Sequence, residues 1–264
     1  MKKKIGLVLS GGGVKGAVHA GMIHYFDEIG FKPDSIAGTS TGAIVGSLYA
    51  AGKTGKEILD FFMTERPYSR KLWSGNKGLI NTAGLADTIA KHVKVETFEE
   101  LKIPLITAAS NMFTGKSAYF SKGPLVRCVL ASASFPGVFS PMEIDGVLYS
   151  DGGLLNHFPA DVLRPQVDFL IGMHLSPIKQ YTMDDLKSTK DVLARTVDIQ
   201  GAEWEFEKLD LCDIAMCPSE LTHYGTFDFS TDKMQEMFGL GFNYIQKHEK
   251  ELITLMKNNN DPAK

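Results

Sequence analysis

The chain has 264 residues, 44% of them hydrophobic and 22% charged, with a formal net charge of −3. This size fits one large α/β domain or two small ones, and it can bury a substantial core without covalent staples. The composition is that of a globular protein, and the charge balance gives no broad attraction to nucleic acid or anionic membrane.

The N-terminus "MKKKIGLVLSGGG" has lysines before an apolar run, but glycines cut the run short of a secretory h-region. It is read as a buried first strand, "KKIGLVLS". "VKGAVHAGMIHYFDEIGF" follows as a helix closed by Gly30, with Val14, Val18, Met22 and Tyr25–Phe26 near one face. "DSIAGTS" reads as a second strand, "TGAIVGSLYAAG" as a small-residue helix and "GKEILDFFMTE" as a third helix. This β-α-β-α-α order predicts parallel strands joined by right-handed crossovers. Residues 66–82, "RPYSRKLWSGNKGLINT", read as irregular, either an ordinary long loop or a mobile lid. "AGLADTIAKHV" is helical; "IPLITAASNM" and "KSAYFS" are strands; "PLVRCVLASAS" is a helix. "MEIDGVLYSDGG" is a hairpin turning at Asp145–Gly146, and "VDFLIGMHL" is another buried strand.

From about 180 the chain reads as mostly helical. Two long helices are expected, over 183–210 and 232–257, with "LCDIAMCP" a strand between them and 258–264 a disordered tail. No linker or repeat stands out, so the expectation is one domain over 1–264. No stretch approaches the ~18 apolar residues of a membrane span, which points to the cytoplasm. The three cysteines, Cys128, Cys212 and Cys217, are no disulfide framework and are read as buried thiols.

Two glycine motifs compete for meaning. "GGGVKG", Gly11 to Gly16, fits the dinucleotide fingerprint G-x-G-x-x-G between a strand and a helix. The acidic residue expected at the end of strand two is absent, since Asp34 precedes that strand and "GTSTG" ends it. The same glycines can turn main-chain amides toward one point at a helix N-terminus, where an oxyanion is stabilised. "AGKTG" at 51–55 imitates a Walker A ending, but Ser47 stands where its first glycine belongs and a helix precedes it.

"GTSTG" itself is the nucleophile-elbow pattern G-x-S-x-G on a strand-to-helix bend. Side chains at Gly38 and Gly42 would crowd that bend. Ser40 would project from it at the start of a helix, with the Thr41 N–H facing a developing oxyanion. If strands one and two are neighbours, the Gly12 and Gly13 amides lie at the same sheet edge as Ser40. A base is also needed. One strand before the serine strand is too few for the ordinary α/β-hydrolase arrangement. Among the histidines, His19, His24, His92 and His248 read as packing or solvated positions, His174 is a weak candidate, and His157 is the best placed. It follows "DGG" at Asp151, which either presents a carboxylate at a strand exit or forms a plain turn.

Together, "GGGVKG", "GTSTG", "ASASFPGVFSP" (131–141) and "DGG" resemble the patatin-like phospholipase family over about residues 4–165. The resemblance implies a three-layer α/β/α fold with a central, mostly parallel sheet, followed here by a helical C-terminal part. It also implies a serine acyl hydrolase of lipid esters, phospholipids among them, with a catalytic dyad; no acidic cluster has calcium-loop spacing, so no metal or cofactor is expected. Carried over, Ser40 is the nucleophile and Asp151 the base. Gly11, Gly12 and Gly13 form the oxyanion hole with Thr41, and Lys15, Gly16, Gly38, Gly42, Gly152 and Gly153 support it. The family usually has Arg at the Lys15 position and often Asn at the His157 position. The implied partner is a lipid ester, with transient contact at a membrane surface and no nucleic acid. The alternatives are a nucleotide-binding protein using "GGGVKG" as a pyrophosphate loop and an inactive lipid-binding relative.

Overall fold

The computed structural model describes residues 2–65, 82–178, 180–188, 192, 195–196, 199, 207–226 and 229–260. Its strands are β1 (Ile5–Leu9), β2 (Ser35–Thr39), β3 (Leu105–Asn111), β4 (Lys116–Phe120), β5 (Met142–Ile144), β6 (Val147–Asp151), β7 (Phe169–Met173) and β8 (Ile214–Met216). The helices are α1 (Gly16–Ile29), α2 (Thr41–Ala50), α3 (Gly55–Glu65), α4 (Thr82–Val93), α5 (Leu125–Ala133), α6 (Ala160–Leu163), α7 (Thr231–Gln246) and α8 (Glu249–Asn260). The strands form one eight-stranded mixed sheet in the order β5-β6-β3-β2-β1-β7-β8, with β4 also on β3. The pairings β1–β2, β1–β7, β2–β3 and β7–β8 are parallel. The α/β architecture expected from the strand–helix alternation is the one observed.

β1 is buried along its whole length because both sheet faces are covered. Its alternation sends Ile5, Leu7 and Leu9 into the large core with α1, α2, α3 and α7, and Val8 into a smaller one with Phe158, Leu163 and Leu170. The second layer is therefore thin. The large core includes the fully buried rings of Phe26, Phe61 and Phe62, each stabilising the fold by roughly 1.5–3 kcal/mol relative to exposure.

Two features of the sheet position the site. The chain leaves β1 toward β2 on one side and later returns to β7 on the other, so the end of β1 is a topological switch point, where open α/β sheets bind ligands. The second concerns β3. One edge of this strand pairs with β4 without a break from Thr107 to Asn111. Its other edge is shared: β2 pairs up to Ala108, and β6 takes over from Ala109. β2 runs parallel to β3 and β6 antiparallel, so their C-terminal ends meet head-on, Thr39 beside Ala108 and Asp151 beside Ala109.

The C-terminal part corrects three expectations. Residues 183–185 form a single 3-10 turn, capped reciprocally by Thr182 and Asp185 and closed at Leu186, so no continuous helix starts at 183. The helix expected over 232–257 is two, because the His248 N–H turns back to Ile245 and His248 then opens α8. Asn258–Asn260 belong to α8 rather than to a disordered tail, and the Asn259 side chain bonds the Lys3 N–H and C=O at 2.8 and 3.0 Å. The possible lid at 66–82 lies outside the described residues except for Thr82, which opens α4. No helix among the described residues is long and apolar enough to cross a membrane.

Candidate active site

Ser40 occupies the bend between β2 and α2 with φ 53° and ψ −120°, a conformation uncommon for a residue with a side chain. Several contacts impose it. The Ser40 N–H donates to Ser132 Oγ at 2.9 Å, and its carbonyl accepts from the Ala43 and Ile44 N–H groups at 3.0 and 3.1 Å. α2 also starts in close contact with the end of β1. A β carbon on Gly42 would collide with the Leu9 carbonyl, and one on Gly38 with the Gly42 carbonyl.

The Ser40 hydroxyl donates to Asp151 Oδ2 at 2.7 Å. The other polar atoms of Asp151 are also engaged. Oδ1 accepts the Gly153 N–H at 2.8 Å, the Asp151 N–H donates to the Ser134 carbonyl at 3.0 Å, and its carbonyl accepts from Ser110 Oγ at 2.8 Å. Burial raises the Asp151 carboxyl from its ordinary 3.8 to about 6, against the opposing pull of the Ser40 hydroxyl, the Gly153 amide and His157. A carboxylate in that range is a stronger base than an exposed aspartate.

Gly12 (φ 154°) and Gly13 (φ 61°) hold backbone that side chains rarely adopt, and this turns the loop over at the end of β1. Among the described residues, the N–H groups of Gly12, Gly13 and Thr41 have no acceptor. Gly11 departs from expectation. Its N–H donates to the His157 carbonyl at 3.1 Å and so is not turned toward Ser40. A Gly11 β carbon would stand 2.6 Å from His157 Nε2 and 3.3 Å from Ser40 Cβ, so the imidazole lies against the glycine loop beside the nucleophile. The Val14 N–H donates to the Thr226 carbonyl at 3.0 Å, which straps the loop from the C-terminal part.

The remaining expected residues surround this core. Gly152 packs against the Ala108 carbonyl and Thr39, Gly153 against His157, and Gly16 against Thr41 and Phe62. Lys15 is buried at the start of α1; burial pushes the nearby Cys217 thiol up to about 11, against the opposing pull of the Lys15 charge. His174 stacks edge-on with His157 at 5.5 Å. Burial holds His19 neutral, its pKa lowered to about 3, with Nε2 at 3.0 Å from the Ser10 carbonyl. Ser110, Ser132, Ser134 and Thr226 were not singled out from sequence. Only the two in "ASASFP" lay in a segment that drew attention, and nothing in the spacing of Ser110 or Thr226 marks them.

Asp34 has a different task from a ribose-binding acid. Its carboxylate accepts the Ile5 N–H at 2.8 Å and pairs with Lys2, at the edge of the sheet opposite the glycine loop. Among the described residues, no group of three or more His, Cys, Asp or Glu is arranged to hold a metal ion.

The sequence profile of the patatin-like phospholipase family matches residues 7–164, which span the glycine loop, the Ser40 elbow and Asp151. The chain belongs to the patatin-like phospholipase family. Members of this family are serine lipid hydrolases. An uncharacterized NTE family protein of Mycobacterium tuberculosis is 34% identical over 182 residues, which cover 66% of this chain and 49% of the relative. Neuropathy target esterase sws of Drosophila melanogaster is 30% identical over 70% of this chain and 13% of its own length. A patatin-like phospholipase domain-containing protein of Caenorhabditis elegans is 32% identical over 95% of this chain and 21% of its own. The patatin-like chain thus spans about half the length of the mycobacterial relative and far less of the animal ones.

Proposed function

We propose that the chain is a serine hydrolase that cleaves carboxylic esters of lipids, phospholipids among them, through a Ser40–Asp151 dyad. The 2.7 Å bond from the Ser40 hydroxyl to Asp151 Oδ2 carries this reading. It joins a strained elbow serine to a buried carboxylate beside main-chain donors. Asp151 takes the Ser40 proton as Oγ attacks the ester carbonyl. The tetrahedral oxyanion is stabilised by the N–H groups of Gly12, Gly13 and Thr41, with the positive end of α2 behind Ser40. Collapse releases the alcohol, which takes the proton from Asp151. Water, deprotonated by the same carboxylate, then attacks the acyl-enzyme; the acyl–Oγ bond breaks, the fatty acid leaves and Asp151 returns the proton to Ser40 Oγ.

The test is ester hydrolysis across a lipid panel beside single variants. Ser40→Ala and Asp151→Asn should each lower kcat by about 10⁴-fold or more, and a fluorophosphonate should label Ser40 in the wild type alone of these three. An active Asp151→Asn variant would remove Asp151 from the mechanism.

A further inference from the structure

The C-terminal turn of α5 touches both members of the proposed dyad through their backbones. Ser132 Oγ, fully buried, accepts the Ser40 N–H at 2.9 Å. Two residues on, the Ser134 carbonyl accepts the Asp151 N–H at 3.0 Å and the Ser150 hydroxyl at 2.9 Å. The Ser134 hydroxyl is itself tied back to the Leu130 carbonyl at 2.7 Å. Nucleophile and base lie 111 residues apart in sequence, yet their N–H groups are held by two residues of one helix end.

Resting on the dyad reading, we propose that Ser132 is a positioning residue for the nucleophile, and that the Ser132–Ser134 step sets the spacing of Ser40 and Asp151. The reasoning starts from the elbow. The first N–H groups of a helix have no acceptor within it, and at Ser40 the positive φ turns the N–H inward, toward α5. A buried amide there needs an acceptor from another element, and Ser132 Oγ supplies it. The bond pulls the Ser40 backbone toward α5, where Ser134 holds Asp151. Without it, the uncommon φ of Ser40 loses one of its restraints and Oγ is free to drift from Asp151 Oδ2 and the glycine amides. A misplacement of about 1 Å at a reacting group costs on the order of 10²-fold in rate.

The test compares Ser132→Ala and Ser132→Cys with the wild type. The thiol fills the space of the hydroxyl but is a weak acceptor, so the Cys variant separates the bond from packing. Active sites are counted by exhaustive fluorophosphonate labelling at Ser40. Turnover per labelled site should then fall about 10- to 100-fold in both variants, with KM within about twofold of wild type. The phosphonylation rate should slow in step, and the pH midpoint of kcat should move upward, because a drifting hydroxyl relaxes its pull on the Asp151 carboxyl. A folded variant of either kind with kcat per site within twofold of wild type overturns the proposal, as does a rise in KM at unchanged kcat. If Ser132→Ala does not fold, Ser132→Cys decides alone. A wild-type protein that neither hydrolyses esters nor takes label at Ser40 would instead defeat the dyad reading itself.

Discussion

At the scale of single residues, the two buried groups with opposite tendencies are Asp151 and His19. Catalysis by the dyad needs ionised Asp151, so kcat should rise with pH through a midpoint near its raised pKa of about 6. His157 lies beside the carboxylate and lowers that pKa. His157→Ala should therefore move the midpoint upward while costing less than about tenfold in kcat at high pH, below the range of a lost general base. A pH–rate profile of the two proteins reads both effects. The same groups govern stability. Between about pH 4 and 6, folded Asp151 holds a proton that the unfolded chain has released, so rising pH erodes stability, by roughly 3 kcal/mol once ionised. His19, lowered from 6.5 to about 3, acts in the reverse sense, and its stabilisation is lost as pH falls from 6.5 toward 3. The two slopes oppose each other from pH 4 to 6. Asp151→Asn removes one of them, so that variant should gain stability steeply over this window while the wild type changes little, and should be the more stable at pH 8. Denaturant titrations at pH 4.5, 6 and 8 check this, and equal differences at all three would refute the linkage. Ser40 and Asp151 stand out in the sequence as candidates because glycines lie two residues either side of Ser40 and directly after Asp151. Sequence does not say which of three consecutive amides faces inward, and here the Gly11 N–H bonds the His157 carbonyl.

At the scale of elements, α1 and α7 cross in backbone contact. A β carbon on Gly21 would overlap the Phe238 carbonyl, and one on Gly241 the Val18 carbonyl, so the two backbones touch through reciprocal glycines. Gly239, two residues earlier in α7, faces open space. This gives an internal control within "FGLGF". Gly241→Ala should destabilise by about 1–3 kcal/mol or more through overpacking, whereas Gly239→Ala should be neutral or stabilise by up to about 1 kcal/mol through helix propensity. Thermal melts of the two variants separate them. Gly241→Ala should also slow phosphonylation of Ser40, because α7 follows the segment whose Thr226 carbonyl holds the Val14 N–H of the glycine loop. Sequence periodicity made α1 legible as a helix, and a helical stretch covering α7. It was silent on which glycine is a contact, since that depends on where another helix crosses. The break at 247–248 was hidden for a related reason: hydrophobic spacing continues across it while the hydrogen-bond ladder stops.

At the scale of the molecule, the boundary of the resemblance differs from the boundary of the packed unit. The family profile ends at 164, but β7 pairs with β1 along the full length of both strands, Ile5 with Phe169 through Leu9 with Met173. The central strand is thus completed from outside the matched region, as is the face of α1 covered by α7. The parallel core and the meeting of the two glycine loops were legible because β-α-β alternation constrains handedness and edge. The head-on approach of β2 and β6 along β3 was not, because pairing register leaves no mark in composition or spacing. This division leads to a prediction about cooperativity. A fragment ending at residue 165 leaves β1 with an unpaired edge and strips the apolar face of α1, two liabilities a helix-covered parallel strand does not tolerate. It should fail to fold, giving no cooperative melt by circular dichroism and no fluorophosphonate label at Ser40. A chain ending at 260 keeps the Asn259 bonds to Lys3 and should match the full chain in both measurements. The full chain should unfold in one transition, with loss of label and loss of helix signal superimposed. A labelled, cooperatively melting 1–165 fragment would mean that the matched region is a self-sufficient domain and that β7, β8 and the C-terminal helices are accessories to it.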